Sequence, residues 1–279
     1  MSDWGKGVNN NIGWGQGADN NIGWGSIYDK SNAGETLLLR DNTAFIIEVD
    51  TTKAGTPSNQ FQFTGAEGDY YVVAKQNDIV VATFNDLSGQ QTITLPSSGV
   101  YDLEIKAKEV NGFDRIRFSG GGDKDKMLDV KQLGNIVWSS FEAAFRDTNN
   151  MAFTATDSPN LSVCNSFRNA FRSSKANPDV RNWDVSNITD MIRMFNASSA
   201  NPDVRNWDVS NVTDMFAIFE SSNLSVENLT AIYENWSQLI VEQNVRFSAG
   251  TTKYNASGQE GRDILVNTYN WTIADGGQV

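Results

Sequence analysis

The sequence predicts an α+β multidomain protein. An N-terminal extended attachment segment leads into an antiparallel β-sandwich, then a short solenoid closed by an α/β C-terminal cap. Three observations lead there. Residues 176–195 recur almost letter for letter at 200–219, a period of 24. Ahead of them, short alternating apolar runs are separated by turn clusters. At the start, Trp-Gly returns every ten residues, at Trp4, Trp14 and Trp24. A fixed period of this length means stacked units, each burying its apolar face against the next. Such a stack offers one long regular surface, so binding is expected before turnover.

Residues 1–26 form the attachment segment. Asn11-Ile12-Gly13 and Asn21-Ile22-Gly23 keep the same ten-residue register as the tryptophans. The glycines argue for tight turns around short extended pieces. Three tryptophans and two isoleucines cannot build a core alone. Trp4, Ile12, Trp14, Ile22 and Trp24 are therefore expected to dock into a partner, since a linker has no reason to repeat them.

Residues 27–122 read as the sandwich. Phe45, Ile47 and Val49 alternate, as do Phe61 and Phe63, and further runs cover 70–74, 79–84, 92–95, 100–107 and 115–118. Gly55-Thr56-Pro57, Asn85-Asp86, Ser97-Ser98-Gly99 and Asn111-Gly112 separate them. Strands this short at this spacing indicate an antiparallel sandwich of the immunoglobulin sort. Gly120-Gly121-Gly122 marks the join.

Residues 123–223 hold the solenoid. Phe141/Phe145, Phe167/Phe171, Met191/Phe195 and Met215/Phe219 each lie four apart, which places them on one face of a short helix. Asn187 or Thr189 would cap that helix, with Asp190 in its first turn. A short extended piece at 180–185 precedes it, and Asn177-Pro178-Asp179 turns the chain back. Trp183 and Trp207 are expected in the core. So is Cys164, which stands where the repeat wants an apolar residue. In residues 224–279, Leu229, Ile232, Tyr233 and Trp236 stripe one helix, an extended run covers 245–254, and a second helix falls near 258–269. A last strand at 271–273 completes a cap over the open end.

Composition narrows the chemistry. The net charge is −12 with no basic cluster, so no nucleic-acid partner is expected. There is no histidine, which lowers the case for hydrolase triads and zinc sites. Asp123, Asp125 and Asp129 lack EF-hand spacing, so no metal and no cofactor is expected. No apolar run is long enough to span a membrane. The first residues show neither an apolar stretch nor a cleavage site, so synthesis in a cytosol without general secretory export is expected.

The run Asn182-Trp183-Asp184-Val185-Ser186-Asn187-Ile188-Thr189-Asp190-Met191, with Met194-Phe195, resembles the repeat of BspA-like surface proteins. That family is a degenerate leucine-rich-repeat type of bacterial adhesins and phages. Residues 206–215 with Phe219 resemble it equally. Gln60-Phe61-Gln62-Phe63, Ser98-Gly99-Val100-Tyr101 and Ile116-Arg117-Phe118 resemble the PKD-like domain that precedes such repeats, although its Trp-Gly-Asp-Gly turn is missing. Ile-Gly-Trp-Gly, present twice, is similar to leaders of phage fibre proteins.

These resemblances imply a phage virion structural protein, a head or tail fibre, rather than an enzyme. Its residues 1–26 would hold capsid or tail proteins. Its repeats would face a host cell-surface glycan or protein, and a homotrimer is the form the resemblance implies. A bacterial cell-surface adhesin and a virion polysaccharide depolymerase are the alternatives. Asp179, Arg181 and Asn182, in register with Asp203, Arg205 and Asn206, are the candidate ligand-binding rows. Two readings stay open for the charged rows: presentation to a ligand, or pairing among themselves along the stack.

Overall fold

A computed structural model describes residues 42–109, 112–118 and 121–279. The expected attachment segment 1–26, residues 27–41 of the expected sandwich, Asn111 and Gly120 lie outside the described residues. The architecture is α+β, with strands and turns outweighing two α-helices among the described residues.

Strands form where the alternation predicts them: β1 (Phe45–Asp50), β2 (Gln60–Gln62), β3 (Asp69–Gln76), β4 (Ile79–Ser88), β5 (Thr92–Thr94) and β6 (Val100–Ala107). Phe45, Ile47 and Val49 of β1 share the buried face with Tyr101, Leu103 and Ile105 of β6 and Tyr70, Val72 and Ala74 of β3. The β3–β4 hairpin closes on Asn77 and Asp78, both left-handed (φ 51° and 64°). That is the two-residue turn whose twist suits paired strands. β2 and β5 pair separately. Their apolar side joins the same core, with Phe63 5.5 Å from Tyr70 by ring centroids. The other face of the large sheet is charged, and its Lys75 and Glu104 form a buried pair at 2.6 Å.

The sheet does not stop at 122. β7 (Met127–Gln132) runs antiparallel beside β1, and β8 (Ala152–Phe153) lies parallel on β7. The order is β4-β3-β6-β1-β7-β8. The expected boundary at 122/123 is therefore crossed, and one hydrophobic core runs from Phe45 to Trp271. A buried ion pair fastens the crossing. Asp123 accepts from the Thr56 and Gln62 N–H groups and the Thr56 hydroxyl, all at 2.7 Å. Lys126 Nζ donates to the carbonyls of Thr56 and Gln60 (2.8 Å each) and Pro57 (3.2 Å). The expected strand at 115–118 is absent. Arg115 makes a single bridge to Glu67, while Ile116 and Phe118 fill the core.

From about residue 139 the chain winds in turns stacked in register. The N–H groups of Phe167, Asn169, Phe171 and Ser173 donate to the carbonyls of Asp190, Ile192, Met194 and Asn196. Those of Met191, Arg193, Phe195 and Ala197 donate in turn to Asp214, Phe216, Ile218 and Glu220. Every second N–H thus leaves for the neighbouring turn. The ones between fold back three residues, as Ala170 to Phe167 and Arg172 to Asn169.

An α-helix needs every N–H to return four residues, so the expected short helix at 191–195 does not form. The extended piece at 180–185 is not a strand either, since the Trp183 N–H turns back on the Val180 carbonyl. Left-handed residues recur at every fourth position instead: Asn169, Ser173, Arg193, Ala197, Ala217 and Ser221. Asn187 and Thr189 therefore cap no helix, and Asp190 closes a tight turn instead. Its Oδ1 accepts the Ile192 N–H at 2.9 Å, and Asp214 does the same for Phe216.

Inside, Phe145, Phe171, Phe195 and Phe219 form a column with centroids 5.4, 5.4 and 5.7 Å apart. The C-terminal part continues this ladder and then ends it. The Met215 and Phe219 N–H groups donate to Arg246 and Ser248 of β9 (Arg246–Ser248), which stands where a further turn would. β10 (Thr272–Ala274) pairs parallel with β9, and Phe247 meets Phe219 edge-on. Helix α1 (Val226–Trp236) buries Leu229, Ile232, Tyr233 and Trp236 as its stripe predicts, with Ser225 capping the Asn228 N–H. Helix α2 (Gln259–Asn267) packs on α1.

Candidate functional site

The stacked turns present two outer walls. The first carries the rows expected from the sequence. Asn201 N–H donates to Asn177 Oδ1 at 2.8 Å, so the two copies sit on adjacent turns with their polar rows side by side. Within each turn the charges satisfy each other. Arg181 holds Asp179 with two bonds, Nε at 2.9 Å and Nη2 at 2.7 Å, and Arg205 Nε holds Asp203 at 2.8 Å. The hydrogen bond from Arg181 keeps the Asp179 carboxyl below the usual carboxylate range. On this wall charge pairing therefore runs along each turn and not between turns. Asn182 and Asn206 are exposed beside these pairs. Asp184 and Asp208 each accept the N–H two residues on, from Ser186 and Ser210.

Uncharged polar groups do bond from turn to turn. Thr213 Oγ1 donates to the Thr189 carbonyl and Thr189 Oγ1 to Asn165. Asn211 and Asn187 donate likewise to Ser186 and Ser162. These side chains finish the backbone ladder, which is why the copies keep them. The buried residues behave as expected: Trp183 and Trp207 are 4% and 2% exposed, and Cys164 is fully covered, its thiol pushed up by burial.

The second wall is made by the tight turns themselves and was not singled out by sequence reasoning. Phe216 stands 37% exposed there. The guanidinium of Arg193, one turn before, lies 5.4 Å from its ring centroid. That of Arg246, one turn after, lies 5.0 Å from it. Arg246 also pairs with Asp214, and Arg168 pairs with Asp190 through Nη2 at 2.6 Å. Arg193 has no carboxylate within 4.0 Å among the described residues. The signal available in the sequence was the mismatch between the two copies. They differ at Ile188/Val212, Ile192/Phe216, Arg193/Ala217 and Met194/Ile218. The first and last of these are buried apolar exchanges; the middle two are this site.

Trp4, Ile12, Trp14, Ile22 and Trp24 lie outside the described residues. Asp123 and Asp129 are taken up by protein donors, Asp129 by the Thr154 N–H and hydroxyl. Among the described residues no group of three acidic or cysteine side chains is placed to hold a metal, and no helix is long and apolar enough to cross a membrane.

Residues 139–259 match the family described as "Mycoplasma protein of unknown function, DUF285". The match is consistent with a BspA-like repeat protein. It spans less than half of the chain, covering the stacked turns, α1 and β9. No curated protein and no solved structure matches the chain.

Proposed function

We propose that this chain is a non-enzymatic adhesion protein. In this reading its stacked turns are a leucine-rich-repeat-type solenoid of the BspA-like kind, preceded by an Ig/PKD-like sandwich. The observation that carries it is the regular ladder from Phe141 to Glu220, which sets surface side chains in rows. Rows of this kind match a repeating ligand, and weak contacts add when several are made together. The match over 139–259 supports the same reading, since the repeats are the part it covers.

On the wall that carries the expected rows, binding is favoured over glycan cleavage by the state of the carboxylates. A general acid needs a raised pKa. Asp179 and Asp184 are instead held low by hydrogen bonds from Arg181 and Ser186. We place the protein on a phage particle as a head or tail fibre, exposed at its surface and trimeric. Residues 1–26 then anchor it to capsid or tail proteins. This rests on the likeness of the Ile-Gly-Trp-Gly leader to fibre proteins.

Two measurements test the proposal. Purified full chain is expected to adsorb to the bacterium that propagates the particle, with no release of reducing sugar from its envelope glycans. Particles assembled with a chain lacking residues 1–26 are expected to carry none of it. Absence of adsorption removes adhesion; normal incorporation of the shortened chain removes the anchoring role.

A further inference from the structure

We infer that the Arg193–Phe216–Arg246 cluster, and not the Asp179/Arg181/Asn182 row, is the ligand-contact site, and that it takes a carboxylate-bearing polysaccharide. The inference rests on the adhesion reading above and deepens it. The two walls differ in what they leave available. On the first, each arginine already holds the aspartate two residues away, with Nε and Nη2 of Arg181 engaged. A ligand carboxylate would have to displace one that is tethered in place. On the second, Asp214 likewise holds Arg246, but Arg193 has no acidic neighbour within 4.0 Å among the described residues, and the difference between the walls rests on it.

The chemistry of the cluster fits an acidic sugar. A guanidinium offers a planar fork of donors that matches a carboxylate with two parallel bonds. A partly exposed ring beside it gives a surface for the C–H face of a pyranose. Here one exposed ring has a guanidinium from the turn on either side, so three consecutive levels of the stack meet at one point. Arg168, paired with Asp190, lies further along the same wall. Asp190 and Asp214 balance Arg168 and Arg246, which leaves Arg193 as the unpaired charge of this group in a chain of net charge −12. Charge repulsion elsewhere on the chain then restricts a polyanion to this strip. A neutral glycan could accept hydrogen bonds from Arg193 but would lack the charge-assisted pair.

The test uses full chain and immobilised oligogalacturonate as the probe, read by biolayer interferometry. The unmodified chain is expected to bind it and to lose the signal when the probe is fully methyl-esterified, which removes the charge and keeps the sugar. Raising salt from about 50 to about 500 mM is expected to weaken binding, as screening requires. R193Q/R246Q is expected to weaken it about tenfold or more. R193K, which keeps the charge and loses the fork, is expected to fall between.

Unchanged thermal unfolding of these surface variants separates loss of contact from loss of fold. D179N/R181Q is expected to bind as the unmodified chain does. The inference is overturned if oligogalacturonate does not bind, if R193Q/R246Q binds equally, or if polyglutamate or a sulfated oligosaccharide binds in its place. Adhesion itself is read apart: if R193Q/R246Q still adsorbs to cells as the full chain does, adhesion stands and this site falls.

Discussion

The sheet and the stacked turns bury comparable aromatic cores, yet they treat charge in opposite ways. The sheet takes ion pairs inside: Lys75 with Glu104, and Lys126 with Asp123, all at most 5% exposed. Across 139–223 the buried residues are apolar or hydroxyl-bearing, and ions stay outside. The difference follows from geometry. Each strand of the sheet meets a different partner, so a charged side chain can be matched once by a unique neighbour. A stacked turn meets near-copies of itself, and a buried charge repeated at the same level would face its own sign. Hydroxyl and amide groups avoid this, because each both donates and accepts.

The sharpest break in that comparison sets a lone buried charge against a lone cavity. Lys75→Met leaves Glu104 buried without its partner, which costs about 3–5 kcal/mol. Lys75→Met with Glu104→Leu is expected to recover most of it, since a packed apolar pair often matches an ion pair. Phe195→Ala removes a ring stacked on both sides, at 5.4 and 5.7 Å, and is expected to cost about 3–5 kcal/mol with no second change that restores it. Chemical denaturation of the four proteins reads both. Equal recovery in the stack by any single neighbouring substitution would show that its levels are not held in fixed register.

Much of this organisation was legible in the sequence. The period announced the stacking because its units are near-identical, and the stripe in α1 announced the cap. The local shape of each turn was not legible. Residues four apart suit a helix as well as they suit two successive tight turns. The left-handed positions hold Asn169, Arg193, Ala197 and Ala217, where glycine would have given them away. Strand β7 was missed because its partner β1 lies some 80 residues earlier. The polar rows were visible, but Asp179 and Arg181 repeat together whether they serve each other or a ligand. Arg246 lies beyond the repeat, so nothing in the period links it to Arg193 and Phe216.

The cap offers the next test, because it too buries a carboxylate. Asp275, its side chain 4% exposed, accepts from Tyr233 Oη and Arg262 Nε at 2.7 Å each. Burial alone would raise its pKa; the bonds from Arg262 and Tyr233 outweigh that and hold it below the ordinary 3.8. A lowered carboxylate stabilises the fold above its unfolded value and stops doing so as pH falls through its folded value. Asp275→Asn is expected to cost about 1.5–3 kcal/mol at neutral pH. The gap to the unmodified protein should close as pH drops below about 4. Melting temperatures across pH 2–7 check it, and a gap independent of pH would mean that Asp275 acts by packing alone.

The smallest effect compares two tryptophans at the same place in adjacent turns. Trp207 Nε1 donates to the Val180 carbonyl at 2.9 Å, and Trp236 of α1 repeats that bond to Val204. Trp183 Nε1 is buried without a partner. The preceding turn is two residues longer, and its corresponding stretch at 151–157 is drawn into the sheet, with Ala152 and Phe153 paired to β7 and the Thr154 and Ala155 N–H groups on Val130. Trp183 is held by rings instead, with Phe141 5.6 Å and Phe167 6.0 Å away. Exchange of either tryptophan for phenylalanine removes the same volume. Only Trp207→Phe also breaks a buried hydrogen bond, leaving the Val180 carbonyl with the Trp183 N–H alone, so it is expected to cost about 1 kcal/mol more than Trp183→Phe. Matched denaturation curves decide it. Equal losses would mean that the first turn supplies Trp183 with an acceptor after all, and that the sheet perturbs the stack less than its longer first turn implies.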